Sequence, residues 1–366
     1  MTDQNSERRA SDQEFAEFPY PRSERDATPS VASVPPGTPY HHLARVRPRN
    51  WGRFLLGTLL IVALCIGAIN LIEMGALLVQ TALGGPSSPG PGGATLQNSV
   101  AEFALSSAIL GVFLPIVLLA VWAVQRRPIG SVSSVIGRVR WRWLLSCCGV
   151  ALVAIMVQNV LSGVLNTVVP SSAVQNAAEP QWVGWGAFLP TAAIVVLVTV
   201  FQASAEEYVF RGWLLQGIAG CFPRARDGVV GRTAAAVFGT PWPAILISAA
   251  AFASIHGYTG LGMLDIFLFG AVLGWLTVRT GGLEAGIAFH VIFNINAFLF
   301  MAAFGQMGAA DDQGGVPWQD FVTFCVPLAL FAGMTVRRAR RRGLRTVTGT
   351  ATAEDRTPVG VAAEAG

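Results

Sequence analysis

Lysine is missing from this 366-residue sequence, and charged residues of every kind are scarce. Asp, Glu, Lys and Arg together make up 13% of the chain, whereas hydrophobic residues make up 52%. A soluble globular domain has about a quarter of its residues charged, so this composition argues against one or two soluble domains. All 25 basic residues are Arg. Because they flank apolar segments, they indicate membrane orientation and not a nucleic-acid partner.

Cysteine and histidine are also few. The five cysteines show no CxxC pair and no metal-ligand spacing, so we interpret them as buried thiols and not as a disulfide framework. Of the four histidines, His41 and His42 lie in a polar N-terminal stretch, whereas His256 and His290 lie within apolar segments. An ionisable residue in an apolar membrane segment is a candidate for function.

Both ends of the chain are polar. Residues 1–49 are rich in Ser, Pro, Glu, Asp and Arg, and we predict a disordered cytoplasmic tail because they bury too little apolar surface to offset the entropy of ordering. Residues 346–366 are predicted to form a second disordered tail. No short apolar signal sequence follows Met1, so the first long apolar segment is expected to act as the signal anchor.

The body between the tails contains eight apolar segments that are candidates for transmembrane helices, each of which needs about 20 residues. They are residues 54–82, 103–125, 143–168, 187–219, 243–257, 262–278, 283–303 and 317–336. The fifth and sixth are short, and the Gly- and Pro-rich run 84–93 is predicted to be a loop. The expected fold class is therefore an all-α, polytopic membrane helix bundle.

The distribution of Arg tests this count independently. Arg clusters precede the first span and follow the second, fourth, sixth and eighth, whereas the intervening loops contain acids such as Glu179 and Asp311. Cytoplasmic loops of membrane proteins are basic, so the pattern predicts eight crossings of the plasma membrane with both termini cytoplasmic. The last run of Arg, in residues 337–345, either fixes this topology or binds anionic lipid.

Glu206, Glu207 and Arg211 interrupt the fourth span. Glu207 and Arg211 are four residues apart and are predicted to pair on one helix face. Glu206 is turned by about 100° from Glu207 and therefore has no local cation, so it is a candidate general base if water reaches it. Alternatively, the three residues form a buried charge network that only holds helices together.

His256, His290 and Asn294 lie in the fifth and seventh spans. Taken singly, each is as readily explained as a hydrogen-bonded packing residue of a helix bundle. At 1.5 Å per residue, however, Glu206 and His256 both lie roughly 20 Å from the same membrane face, and His290 and Asn294 roughly 10 and 16 Å from it. We therefore expect the four side chains to meet near mid-membrane depth.

In their order along the chain, these residues resemble the signature of the family that unites type II CAAX prenyl endopeptidases with bacteriocin-processing and immunity proteins, the CPBP or ABI family. That signature is Glu-Glu-x-x-x-Arg, Phe-x-x-x-His and His-x-x-x-Asn on separate membrane helices. The matching residues are Glu206, Glu207, Arg211, Phe252, His256, His290 and Asn294. The resemblance covers about residues 187–303, the expected protease core, between N-terminal helices in 50–186 and a last helix with its basic flank in 304–345.

The resemblance implies an intramembrane endopeptidase that cleaves a membrane-anchored protein or a peptide. It implies that Glu206 and His256 activate the attacking water, and that His290 and Asn294 stabilise the oxyanion, a role in which donors in a dry site act strongly. Supporting roles fall to Glu207, Arg211 and Phe252. Membrane lipids and the substrate are the expected partners, and the sequence makes no prediction of oligomeric state.

The same resemblance leaves the role of a metal open, because the family is also described as metalloproteases. Glu206, His256 and His290 would supply three ligands to a zinc ion, with Glu207 as the base. No His-Glu-x-x-His helix holds two ligands at one turn's spacing. We therefore favour a mechanism that requires no cofactor, with zinc as the alternative.

Two other functions fit parts of the sequence. A non-catalytic member of the family, a membrane scaffold or immunity-type protein, would bind a partner and cleave nothing, but it would not require an intact set of catalytic residues. A proton-coupled transporter would also bury Glu and His. Transporters often show repeats in two halves, whereas here the ionisable groups are confined to the second half.

Overall fold

A computed structural model describes residues 34–45, 50–86, 94–170, 181–221, 233, 236–237, 239–310 and 314–349. Within these residues the protein is all-α, as predicted, and its only β-type pairings are three isolated bridges. The eight long helices of the described part are α1 (Asn50–Ala82), α2 (Ser99–Gln125), α3 (Trp141–Val168), α4 (Trp185–Cys221), α5 (Trp242–Ser254), α6 (Leu261–Thr280), α7 (Glu284–Ala303) and α8 (Trp318–Arg341).

Seven of these helices are long and apolar enough to cross a membrane, and α5 is the exception. The predicted fifth span, 243–257, is therefore wrong in its length. Its helix has 13 residues, which at 1.5 Å per residue cover about 20 Å, less than the roughly 30 Å of a hydrocarbon core. Pro243 lies at the start of α5, and Gly257 follows soon after its end at Ser254. Both residue types are typical of helix boundaries.

The helices nevertheless alternate in direction. At one end of the bundle, Ser134 in the α2–α3 connection forms a β-bridge with Gly282 in the α6–α7 turn. At the opposite end, Thr259 before α6 forms a bridge with Gly315 before α8. The described Arg residues, apart from Arg211 within α4, all lie in segments at the first end, which we term the arginine end.

The predicted alternation of Arg is thus reproduced along the described part of the chain. The Arg residues predicted for the loop after the fourth span are Arg224, Arg226 and Arg232, and they lie outside the described residues, as does most of the predicted loop 84–93. All five cysteines are free, and two of them, Cys65 and Cys147, are buried.

Residues 34–45 are ordered, in contrast to the predicted disorder of residues 1–49. Tyr40 is fully buried, and its hydroxyl donates to the Val132 carbonyl at 2.5 Å and lies 3.4 Å from the carbonyl oxygen of Arg211. Burial raises the pKa of Tyr40 well above its usual value, so the hydroxyl remains a donor. The segment orders because Tyr40 and Leu43, which is also buried, supply apolar contacts that the average composition of the tail conceals.

Two further contacts hold this segment to the arginine end. The Arg45 guanidinium donates two hydrogen bonds, of 2.9 and 2.6 Å, to the carbonyl of Ala219 near the end of α4. His41, which we had placed in the disordered tail, is buried. Its burial and the nearby charge of Arg45 lower the pKa of His41 to about 4, so its ring is neutral at physiological pH.

The segment after α8 also departs from the prediction of a disordered tail at 346–366. Thr348 N–H donates to the Thr38 carbonyl at 2.9 Å, and Gly37 N–H donates to the Thr348 carbonyl at 3.1 Å. The segments before α1 and after α8 therefore lie side by side at the arginine end. The remainder of the two predicted tails, residues 1–33 and 350–366, lies outside the described residues.

Helix α7 packs against α3, α4 and α6, and its N-terminal half is buried. Phenylalanine rings fill the space around it: the ring of Phe289 lies 4.6 Å from that of Phe331 and 6.0 Å from that of Phe269. Small residues bring α5 and α6 together, since a Cβ at Gly270 would lie 3.0 Å from the Ala249 backbone. Such close approach of backbones is typical of membrane helix packing.

We predict that Tyr40→Phe lowers the free energy of unfolding by about 1–3 kcal/mol, because it leaves the buried carbonyl of Val132 without its donor. Thermal unfolding of purified protein in detergent measures this change. The matched control is Tyr258→Phe, which removes a hydroxyl for which the described residues provide no hydrogen-bond partner. Equal melting temperatures for the two variants would show that the docked segment contributes nothing to stability.

Candidate active site

A cavity of about 390 Å³ lies between α2, α4, α6 and α7. The four predicted catalytic residues, Glu206, His256, His290 and Asn294, all line it. Apolar side chains form most of the remaining wall, among them Phe103, Leu110, Phe113, Phe298 and Met301. The structure therefore brings the four side chains to one cavity, in which a few polar side chains lie among a larger number of apolar ones.

Glu207 and Arg211 form the predicted ion pair beneath this cavity. The guanidinium NH1 lies 2.9 Å from Glu207 Oε1, and the two side chains are 0% and 1% exposed. The Arg211 guanidinium also stacks on the ring of Phe252, 4.4 Å from its centroid. This cation–π contact gives Phe252, predicted only as a supporting residue, a defined role in holding Arg211.

The backbone of α4 changes to a π-helix over Tyr208–Leu214, directly after the two glutamates. Such widened turns are frequent at functional sites. The Phe210 carbonyl within this segment accepts a hydrogen bond of 2.7 Å from Ser248 Oγ of α5. On another side of the segment, the Tyr40 hydroxyl lies against the Arg211 carbonyl. Side chains from two other elements thus contact backbone carbonyls of the π-helical turn.

His290 lies between the two glutamates. Its Nδ1 is 2.9 Å from Glu207 Oε1, and its Nε2 is 3.6 Å from Glu206 Oε2. The carboxylate of Glu207 accepts, so Nδ1 carries a hydrogen and Nε2 faces the second carboxylate. Nε2 and Glu206 Oε2 then attract each other only if one of the two groups carries a proton. No cation lies one turn from Glu206 on α4, as predicted, but Glu206 meets a histidine from α7.

Gln202 is a site residue that the sequence did not single out. Its Nε2 donates to Glu206 Oε1 at 2.5 Å, and its Oε1 accepts from Asn294 Nδ2 at 3.4 Å. Gln202 thereby connects the candidate base with the candidate oxyanion donor. The signal in the sequence was its place one turn before Glu206, but an uncharged residue does not stand out in a search for intramembrane charges.

Gly286 allows α7 to approach Glu207. A Cβ at this position would lie 2.6 Å from Glu207 Oε2, so a larger residue would displace the carboxylate or the helix. Gly286 lies one turn before His290, on the same face of α7. The close approach places the imidazole within hydrogen-bond distance of Glu207, and the spacing Gly-x-x-x-His was the available signal for it.

His256 lies beyond the end of α5, and not within a span as predicted. The helix ends at Ser254, where the Ser254 hydroxyl donates to the Ala251 carbonyl, a local bond that competes with helix continuation. The Phe252 carbonyl accepts a hydrogen bond of 2.7 Å from His256 Nδ1. Nδ1 therefore carries a hydrogen, and in the neutral ring Nε2 is the unprotonated nitrogen, as a base requires.

The alternative of a zinc site stays a prediction. Nδ1 of His256 is bonded to the Phe252 carbonyl and Nδ1 of His290 to Glu207, which leaves Nε2 of each ring toward the cavity or Glu206. Across the part of the chain that the structure describes, no group of three His, Cys, Asp or Glu side chains is arranged to hold a metal ion. We derive no step through a zinc ion.

We predict that Arg211→Met destabilises the protein by about 3–5 kcal/mol, because it leaves Glu207 as an uncompensated buried charge. Adding Glu207→Gln to this variant removes that charge and should restore much of the loss. Thermal unfolding of the two single variants and the double variant in detergent gives the coupling free energy. Additive effects of the two substitutions would contradict an energetically significant pair.

Comparison with known proteins found a family model and a relative that are similar to this chain. Residues 188–296 match the family model described as type II CAAX prenyl endopeptidase Rce1-like. The uncharacterized protein YyaK of Bacillus subtilis (strain 168) is 26% identical over 263 residues, which cover 66% of this chain and 77% of the relative. No solved structure matches the chain. The matched segment contains every residue of the predicted signature, so residues 188–296 are similar to the type II CAAX prenyl endopeptidases of the Rce1-like family.

Proposed function

We propose that this multi-pass membrane protein is an endopeptidase that hydrolyses a peptide bond of a membrane-associated protein or peptide. The observation that carries the proposal is the placement of Glu206. It lies at the wall of the cavity, and Gln202 donates a hydrogen bond to its Oε1. Its Oε2 has no hydrogen-bond partner among the described residues. The family match over residues 188–296 supports the same reaction class.

The first step is attack of a water molecule on the peptide carbonyl carbon. Glu206 Oε2 takes a proton from this water while its oxygen forms the new bond, and the carbonyl π electrons move to the oxygen. His256 lines the same cavity. Its unprotonated Nε2 accepts a hydrogen bond from the second O–H of the water and so orients the molecule for attack. Positioned general bases of this kind contribute about 10²–10⁴-fold to a rate.

The oxyanion formed in that step requires hydrogen-bond donors. Asn294 supplies an amide N–H on the cavity wall, and protonated His290 supplies Nε2–H. Glu207 orients the ring by accepting the hydrogen on Nδ1. When the carbonyl re-forms, the C–N bond breaks, and the proton held by Glu206 passes to the leaving amine. Donors directed at a developing oxyanion in a dry site each stabilise it by roughly 3–4 kcal/mol.

The shape of the cavity suits an apolar substrate segment. Its ionisable and amide groups lie on α4 and α7 and after the end of α5, whereas α2 contributes the rings of Phe103 and Phe113 and the hydroxyls of Ser106 and Ser107. A peptide next to a membrane anchor, or a lipid-modified terminus, would place apolar groups against this wall and its scissile bond against Glu206. We further propose that the arginine end faces the cytoplasm of a plasma membrane, as basic ends do.

Glu206→Gln should abolish cleavage while leaving the helix bundle folded, because it retains the shape and the hydrogen bond to Gln202 but removes the base. We expect at least a roughly hundredfold loss of product, measured as new peptide termini in membranes of cells that express each variant. The control is Glu73→Gln, which removes a carboxylate of α1 away from the cavity. Unchanged cleavage by the Glu206 variant at normal abundance would exclude proteolysis as the function.

Cleavage should also survive exhaustive treatment of the purified protein with a metal chelator, because the proposed reaction uses Glu206 and His256 without a metal ion. The measurement is the rate of cleavage of a substrate found by the comparison of termini, before and after chelation. A loss of activity that zinc alone restores would replace this mechanism by the metal-dependent alternative.

A further inference from the structure

Exposed Arg residues from three helices gather at one side of the arginine end. They lie in or next to the start of α3, the end of α6 and the end of α8. The set, which we term the arginine patch, consists of Arg138, Arg142, Arg279, Arg342 and Arg345, and each is exposed. The proposed peptidase reaction uses none of these residues.

Specific contacts hold the three helix ends together. The Arg342 guanidinium lies over the ring of Trp143, 5.8 Å from its centroid, which joins α8 to α3. Arg140 donates to the carbonyl of Arg345 at 3.2 Å and to that of Thr280 at 3.0 Å. The patch is therefore a defined arrangement of cations from separate parts of the chain, and not a run along one flexible tail.

No carboxylate of the described residues pairs with an Arg of the arginine patch. In the described ranges, the ion pairs of Arg with carboxylates are Arg140–Glu284 and Arg211–Glu207. Arg140, between two patch residues in sequence, is thus neutralised, whereas Arg138 and Arg142 on either side of it are not. Several cations held close together with no acid among them form a binding surface for an anion.

The surroundings of the patch indicate which anion. Trp141, next to Arg142, is 67% exposed, and Leu145 one turn further along α3 is 68% exposed. An exposed Trp between a basic end and an apolar helix face is typical of the membrane interface. A bound anion at this level would have its charge at the guanidinium groups and apolar chains along α3, which matches a phospholipid and not free phosphate.

We propose that the arginine patch is a specific binding site for an anionic phospholipid, whose headgroup phosphate pairs with Arg142, Arg342 and Arg345. Guanidinium groups suit this role because their planar donors pair with two phosphate oxygens at once. The site lies against the Arg140–Glu284 pair at the start of α7. Lipid binding would therefore stabilise the N-terminal end of α7, the helix that carries His290. The inference does not depend on the proposed peptidase activity.

The experiment compares purified full-length protein with Arg142→Gln/Arg342→Gln in detergent micelles. Phosphatidylglycerol and phosphatidylcholine are titrated separately, and native mass spectrometry and the melting temperature report bound lipid. The control, Arg53→Gln/Arg126→Gln, removes the same charge from the arginine end at α1 and α2. We expect saturable binding of phosphatidylglycerol that is weakened at least about tenfold in the patch variant and less than about twofold in the control.

Equal weakening in both double variants would overturn the proposal and leave a general basic surface that sets topology. Equal binding of the two lipids would do the same. Competition by millimolar inorganic phosphate or glycerol phosphate would show a free-phosphate site and contradict the choice of a lipid. If the Gln variant fails to fold, Arg142→Lys/Arg342→Lys replaces it, because this variant retains the charge but not the planar donors. Binding of phosphatidylglycerol as tight as that of the wild type would then refute phosphate recognition by these guanidinium groups.

Discussion

The buried pair of Glu207 and Arg211 is the interaction on which the arrangement of the site depends. Both side chains are at most 1% exposed, so neither charge is tolerated without the other. Their pairing fixes the carboxylate against Gly286 of α7, and the same Oε1 that meets Arg211 also accepts from His290. One carboxylate thus sets the register between α4 and α7. The stacking of Arg211 on Phe252 extends this constraint to α5.

This arrangement gives two adjacent glutamates different chemistry. Glu207 is shared between a fixed cation and an imidazole, and its charge is compensated within the protein. Glu206 instead has a neutral amide, Gln202, on one oxygen and faces the cavity near His290 with the other. Pairs of ionisable groups in contrasting environments are the usual basis for dividing acid and base roles at neutral pH. The neutral link through Gln202 to Asn294 holds Glu206 without a second charge on that side.

Much of this was predictable from the sequence, because the relevant physics is local. The lengths of the apolar segments predicted seven helices that can cross a membrane, and the four-residue spacing of Glu207 and Arg211 predicted their ion pair. The length of α5 was not predictable, since apolar residues continue past Ser254 and the helix ends through a side-chain hydrogen bond and a following glycine. Gln202 gave no signal because it is uncharged. The docking of Tyr40 depends on two residues within a polar segment, which composition averages away.

The π-helical turn links these unpredicted features to the site. In an apolar bundle, backbone carbonyls need hydrogen-bond donors within the protein, and the Phe210 carbonyl has two, the Leu215 N–H and the Ser248 hydroxyl. Ser248 and Tyr40 approach the carbonyls of Phe210 and Arg211 respectively, so α5 and the segment before α1 both secure the turn that follows the glutamates. The N-terminal segment lies outside the family match at residues 188–296. It is nevertheless part of the framework of the site, because the buried Tyr40 side chain lies against the turn that contains Arg211.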